Sequence, residues 1–182
     1  MKQAIVVILT LFLIHKNVYS QSATSKIDTS IQKVEKTIFA CGASIDKVYI
    51  KYVVELTKKV RPKICYIPTA VYDDPLEIIK WYEYCSTLNV IPTVLKTYVE
   101  SEPKQQTFEE QLLDCDAIIV CGGSTLNMLA IWKAQGIDTV LRKAYDRGII
   151  LAGGSAGSVC WFTGGFTDSR PKYLSRINCL AF

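Results

Sequence analysis

Ile149-Ile150-Leu151-Ala152-Gly153-Gly154-Ser155-Ala156-Gly157-Ser158 is a short apolar run that passes directly into Gly-x-Ser-x-Gly. An apolar run of this length, stopped by glycine, reads as a buried strand. A strand ending in this pattern must turn sharply into the helix that follows. Glycines on both sides of the serine let two backbones pass closely and tolerate the strained dihedrals of such a turn. The hydroxyl then stands out at the C-terminal edge of a sheet, beside N–H groups free to receive an oxyanion. Ser155 is therefore a candidate nucleophile and Ala156 a candidate amide donor.

Working outward, the same alternation of apolar runs and amphipathic stretches fills the chain from Lys36 onward. Strands are predicted at Thr37–Cys41, Lys63–Ile67, Val90–Tyr98, Asp116–Cys121 and Ile149–Ala152. Pro92 places the third near a sheet edge, because it cannot donate to a ladder. Helices are predicted at about Asp46–Lys59, with Val48, Tyr49, Tyr52, Val53 and Leu56 on the core face, and at Pro75 to about Thr87. The second of these has Asp74 as cap and Glu77 placed to close a capping box. Further helices are expected at Phe108–Leu113, Thr125–Gln135 and Thr139–Arg147, with Gly136 and Gly148 as stops. Strands that alternate with helices and lack a polar face mean a mostly parallel sheet covered on both sides. The fold class is α/β, a doubly wound three-layer αβα sandwich.

The chain has 182 residues, of which 49% are hydrophobic and 21% charged, a globular composition with room for one sizeable core. Met1-Lys2-Gln3, an apolar run from Ala4 to Ile14, and Val18 and Ser20 ahead of Gln21 fit a secretory signal over residues 1–20. That implies a secreted or periplasmic protein, with no stable membrane insertion once the signal is removed. Residues 21–35 read as a polar linker, and 36–182 as the domain. The net charge is +4, and Lys2 and Lys16 fall in the leader, so the mature chain carries only +2. So weak a balance, without a basic stripe, gives no nucleic-acid surface. The chain's one histidine, His15, leaves with the leader. The seven cysteines form no Cys-x-x-Cys pair, and most lie in apolar runs where free cysteine acts as a small hydrophobe. With no histidine left, no metal site and no cofactor are expected.

Two strands end in glycine-rich turns: Cys121-Gly122-Gly123-Ser124-Thr125 and Gly153-Gly154-Ser155-Ala156-Gly157. Ligands of open parallel sheets gather at the carboxyl ends of strands, where these turns lie. The first can aim N–H groups of Gly122, Gly123 or Ser124 at a developing oxyanion, and the second supplies Ser155 Oγ and the N–H of Ala156. Read blandly, the first turn is a tight loop and Ser155 a helix cap. Ser124 and Ser158 read as caps. Two converging turns make half of an acyl-transfer site, and the missing half is the base.

On Val120-Cys121-Gly122-Gly123-Ser124-Thr125, Leu151-Ala152-Gly153-Gly154-Ser155-Ala156-Gly157-Ser158 and Thr167-Asp168-Ser169, the chain resembles peptidase family S51, the aspartyl dipeptidases (peptidase E) and cyanophycinases. The resemblance implies a fold like that of class I glutamine amidotransferases, Ser155 as nucleophile, and oxyanion amides from Ala156 and Gly122 or Gly123. It leaves Asp168 between triad acid and structural turn residue. It implies a short peptide as substrate, N-terminal aspartyl peptides among them, and leaves a homodimer open. Cys121 and Ser124 stand where the family usually has glycine and asparagine. The family's catalytic histidine follows the segment that ends here at Asn178–Phe182, so the domain is expected to be C-terminally incomplete and inactive alone. A catalytically dead binding domain is the alternative; an amidotransferase-like domain acting through a cysteine ranks third, since the elbow holds serine and Cys160 lies past it.

Overall fold

The computed structural model describes residues 34–98 and 106–182. The segment read as signal peptide, and the linker as far as residue 33, lie outside the described residues. Strand β1 (Ile38–Cys41) leads into α1 (Lys47–Leu56), then β2 (Lys63–Ile67), a 3-10 turn (Thr69–Val71) and α2 (Pro75–Cys85). Next come β3 (Ile91–Val94), α3 (Phe108–Leu113), β4 (Ala117–Val120), α4 (Thr125–Gln135), α5 (Ile137–Asp146) and β5 (Ile150–Gly154). After a single turn of helix, α6 (Ala156–Val159), an antiparallel hairpin pairs β6 (Gly164–Thr167) with β7 (Ser175–Asn178).

The five-stranded sheet has the order β1-β5-β4-β2-β3, and every pairing in it is parallel. Parallel strands need crossovers, and the crossover helices cover both faces, so β4 and β5 are buried along their whole length. The fold is the expected three-layer α/β arrangement. β3 lies at one edge, where Pro92 costs no ladder bond.

Local chemistry fixes most boundaries. Asp46 caps α1 by accepting the Tyr49 N–H at 2.8 Å, and Ser124 caps α4 by accepting from Asn127. Gly136 (φ 73°) and Gly148 (φ 82°) end helices in the left-handed region. Several expectations change. In α1 the buried stripe is Tyr49, Ile50 and Val53, whereas Val48 (75% exposed) and Tyr52 (48%) face water. Tyr52 instead lies against the Phe39 ring, 4.7 Å away, at the sheet's edge. Asp74 caps α2 through Leu76 N, but Glu77 pairs with Lys80 at 2.7 Å and closes no box. The reciprocal box forms at α3, between Thr107 and Glu110. The third strand stops at Val94, because the N–H groups of Thr97 and Tyr98 go to the carboxylate of Asp73 rather than to a neighbouring strand. Helix α5 starts at Ile137, immediately after Gly136. Cys65, Cys85, Cys115, Cys121 and Cys160 are buried, and all seven cysteines are free thiols.

Candidate active site

The serine turn is built by close approach. A Cβ on Gly157 would lie 2.2 Å from Val120 O and 2.6 Å from Cys121 O, so only glycine lets this turn pass the end of β4. Ser155 itself has φ 51° and ψ −119°, a conformation that side chains rarely adopt. Four hydrogen bonds hold it there. Its N–H donates to Cys41 O at 3.0 Å, and its carbonyl accepts from Ser158 N, Val159 N and Ser158 Oγ at 2.8–3.0 Å. Residues 151–154 and 156–158 are buried while Ser155 is exposed. The strained backbone thus pushes one hydroxyl out of an otherwise closed surface. Ser158 acts as a brace on this turn, rather than as a cap.

The first glycine turn lies against the second. A Cβ on Gly122 would sit 3.0 Å from Ser155 Cβ and 3.6 Å from Ser155 Oγ. Gly123 has φ 130°, and a Cβ there would overlap Ala70 O at 2.3 Å. Ser124 N–H is taken by Ala70 O at 2.8 Å, which removes it from the candidate oxyanion donors. The N–H groups of Gly122, Gly123 and Ala156 have no acceptor among the described residues. Ser155, Gly122, Gly123 and Ala156 therefore come together at the C-terminal edge of the central strands. Three unpaired amides beside an exposed hydroxyl can bind an oxyanion formed at a carbonyl carbon within reach of Ser155 Oγ.

Asp168 is placed differently. It follows β6, is exposed, and is not among the described residues that line the cleft at Ser155. Its neighbours anchor the segment: Thr167 Oγ1 and Ser169 Oγ are 2.7 Å apart, and Ser169 Oγ accepts the Leu126 N–H at the start of α4.

The cleft at Ser155 encloses about 300 Å³, and Ser44, Ile45, Tyr66, Val71, Glu77 and Cys121 wall it. None of these was singled out as a site residue by sequence reasoning. Tyr66 is the penultimate residue of β2, and each of the others lies just beyond the carboxyl end of a strand or in the helix turn after it, which is the one signal that could have found them. Tyr66 stacks on Trp81, with ring centroids 5.2 Å apart, and burial pushes its phenol well above the usual range. Burial pushes the Cys121 thiol up to about 11, so it stays protonated at neutral pH. Behind the serine turn, Tyr49 OH donates to Phe39 O at 2.7 Å and accepts the Gly153 N–H at 2.7 Å, tying α1 to β1 and β5. Burial raises this phenol as well. Among the described residues no group of three or more His, Cys, Asp or Glu side chains is placed to hold a metal ion.

Fold and site together define a class: a parallel α/β protein with a strained serine at a strand-to-helix turn, on the rim where such sheets bind their ligands. The chain belongs to peptidase family S51, whose family model matches residues 38–182. It is 37% identical over 132 residues to the uncharacterized peptidase YgaJ of Bacillus subtilis (strain 168), an alignment covering 72% of this chain and 56% of that protein. The matched part thus spans little more than half the length of that relative. Among solved structures, a Listeria monocytogenes EGD-e protein assigned to peptidase E superposes with a TM-score of 0.60 at 21% identity, over 80% of this chain and 74% of that one. A peptidase from an acI-B1 actinobacterium superposes with a TM-score of 0.65 at 16% identity, over 83% and 66%. These two share the fold.

Proposed function

We propose that the chain carries the nucleophile and oxyanion half of a serine-type peptidase of the peptidase E type. It would act on short peptides, N-terminal aspartyl peptides being the first to test. In this reading Ser155 Oγ attacks the scissile carbonyl and loses its proton to a base. The amides of Ala156 and of Gly122 or Gly123 hold the oxyanion. The leaving amine departs with a proton, and water then hydrolyses the acyl-Ser155 ester. The observation that carries this reading is the strained, four-fold-braced backbone of Ser155, which holds one exposed hydroxyl against the Gly122 turn.

Residues 16–182 contain no histidine, so within them Ser155 has no imidazole partner. Losing a triad base removes most of the rate enhancement, while about a thousandfold over water remains from the oxyanion hole and binding. The second reading is a binding domain that keeps the pocket without the chemistry. Export is part of the proposal too, on the strength of the leader-like residues 1–20. Among the described residues no helix is long and apolar enough to cross a membrane.

Added imidazole separates the two readings. Hydrolysis of an aspartyl p-nitroanilide is followed with rising imidazole, in the wild-type chain and in Ser155→Ala. The peptidase reading expects little turnover without imidazole, and a saturable increase with it that Ser155→Ala lacks. An identical response from both proteins leaves only the binding domain.

A further inference from the structure

We propose that Cys115 and Cys65 form a dithiol that a low-molecular-weight disulfide converts into an intramolecular disulfide, at the end of the sheet opposite Ser155. Cys115 lies between α3 and β4, and Cys65 is the central residue of β2. Two hydrogen bonds of 2.8 Å, from Asp116 N to Lys63 O and from Lys63 N to Asp116 Oδ2, hold the start of β4 against the start of β2. Register places Thr93 of β3 beside Cys65. In this corner the two thiols hydrogen-bond to each other, and the Thr93 hydroxyl reaches both. The Cys115 thiol is also within 3.1 Å of Gln111 O.

Cys115, 5% exposed, lines a hollow of about 400 Å³ at the amino ends of β4 and β5, with Lys59, Asp116, Arg147 and Ile149 around it. Cys65, 1% exposed, is not among the residues lining that hollow, so a reagent meets Cys115 first. Chemistry sorts the two thiols the same way. The hydrogen bond from Cys65, the Thr93 hydroxyl and the Lys63 ammonium hold the Cys115 thiol below its usual range, against burial and the Asp114 carboxylate. Cys65, bonded to Cys115 and buried, is pushed well up. Burial also pushes up the thiols of Cys85, Cys121 and Cys160, which leaves them protonated at neutral pH. A thiol with stabilised thiolate and an access path is the attacking partner in disulfide exchange. The Cys115 thiolate attacks one sulfur of the small disulfide RSSR. The bond from Cys115 to that sulfur forms, the S–S bond of RSSR breaks, and one RS⁻ leaves. Cys65 then attacks the Cys115 sulfur, and its proton passes to the second departing RS⁻. Two protein thiols are oxidised to one disulfide, and RSSR is reduced to two thiols.

The full chain, reduced and freed of reductant, is mixed with glutathione disulfide at neutral pH, quenched with acid, alkylated in denaturant and mapped by peptide mass spectrometry. Cys115 should be consumed about tenfold faster than Cys85 or more, with a Cys65–Cys115 cross-linked peptide as the product and dithiothreitol restoring both thiols. Cys65→Ala should stop at a glutathione adduct on Cys115, and Cys115→Ala should leave Cys65 reduced. The wild-type rates and the cross-link are read without either variant, so a variant that fails to fold does not remove the test. Cys115 modified no faster than Cys85, a wild-type adduct that persists without the cross-link, or Cys65 oxidised in Cys115→Ala overturns the proposal.

Discussion

Gly157→Ala tests how tightly the serine turn is packed against β4. The added Cβ falls 2.2 Å from Val120 O and 2.6 Å from Cys121 O, about 1 Å inside an ordinary contact. Both atoms are backbone, at the end of a strand flanked by β5 and β2, so neither can rotate away. Relief requires α6 to move off β4, which loosens the fully buried Cys160 and Trp161 beyond it. Overpacking a well-packed interior costs typically 1–3 kcal/mol, and two backbone overlaps place this one at about 3 kcal/mol. For a domain of roughly 150 residues that is a fall in Tm of about 6–12 °C. Gly42→Ala is the control, since nothing lies within 4 Å of its Cβ and its φ is not in the left-handed region. It should be neutral or stabilise by up to about 1 kcal/mol. Thermal unfolding followed by far-UV circular dichroism reads both. A Gly157→Ala protein melting within about 2 °C of wild type would refute the close approach, and with it the account of why this turn exposes Ser155.

Two further outcomes follow from groups near the site. Glycine accepts the φ 51°, ψ −119° of Ser155 without strain and alanine does not, so Ser155→Gly should melt about 2–4 °C above Ser155→Ala, and equal melting points would mean that no strain is stored there. Burial raises the thiols of Cys121 and Cys85 from 9.0 to about 11 and about 12. The folded state therefore binds these protons more tightly than the unfolded chain. Their contribution to stability is complete below pH 9 and drains as pH climbs toward 11 and 12, by up to about 1.4 kcal/mol per pH unit for each thiol. Urea unfolding between pH 8 and pH 10.5 should show a smaller loss in Cys121→Ala than in wild type, and parallel curves would contradict the assignment.

Signals that act within a few residues were legible in the sequence. Asp46 and Ser124 cap the helices they precede, Gly136 and Gly148 end the ones they follow, and the apolar runs are the strands. Ser155 and its glycines were legible for the same reason, being contiguous. The cleft walls were not, because distant contacts set them. Tyr72 and Asp73 hold left-handed φ values of 63° and 55°, and the loop carrying them is fixed by Asp73 gripping Thr97 and Tyr98, by Thr69 Oγ1 bonding to Thr97 Oγ1, and by Trp132 Nε1 donating to Thr69. No residue period announces such a network. The β6–β7 hairpin was missed because its strands are only four residues long and mix glycine with exposed Phe166. The exposure of Val48 and Tyr52 depends on how α1 sits over the sheet's edge, which helical periodicity does not fix.

The register of two strands explains how the proposed nucleophile and oxyanion donors come to lie side by side. Val120, the last residue of β4, pairs with Gly153 of β5, which ends one residue later at Gly154, so their turns emerge side by side. Ser155 and the Gly122 amide are then brought together by the sheet itself, the most deeply buried part of the molecule. Nothing in that geometry depends on an imidazole. In the proposed reading, a base supplied from solution would leave Ser155 and the Gly122 amide where they are, whereas shifting β4 against β5 would displace both at once. Rescue by imidazole should therefore depend on sheet integrity: weak in Gly157→Ala even at temperatures where that protein stays folded, and intact in the control Gly42→Ala. Equal rescue in wild type and folded Gly157→Ala would show that the strand register does not set the site.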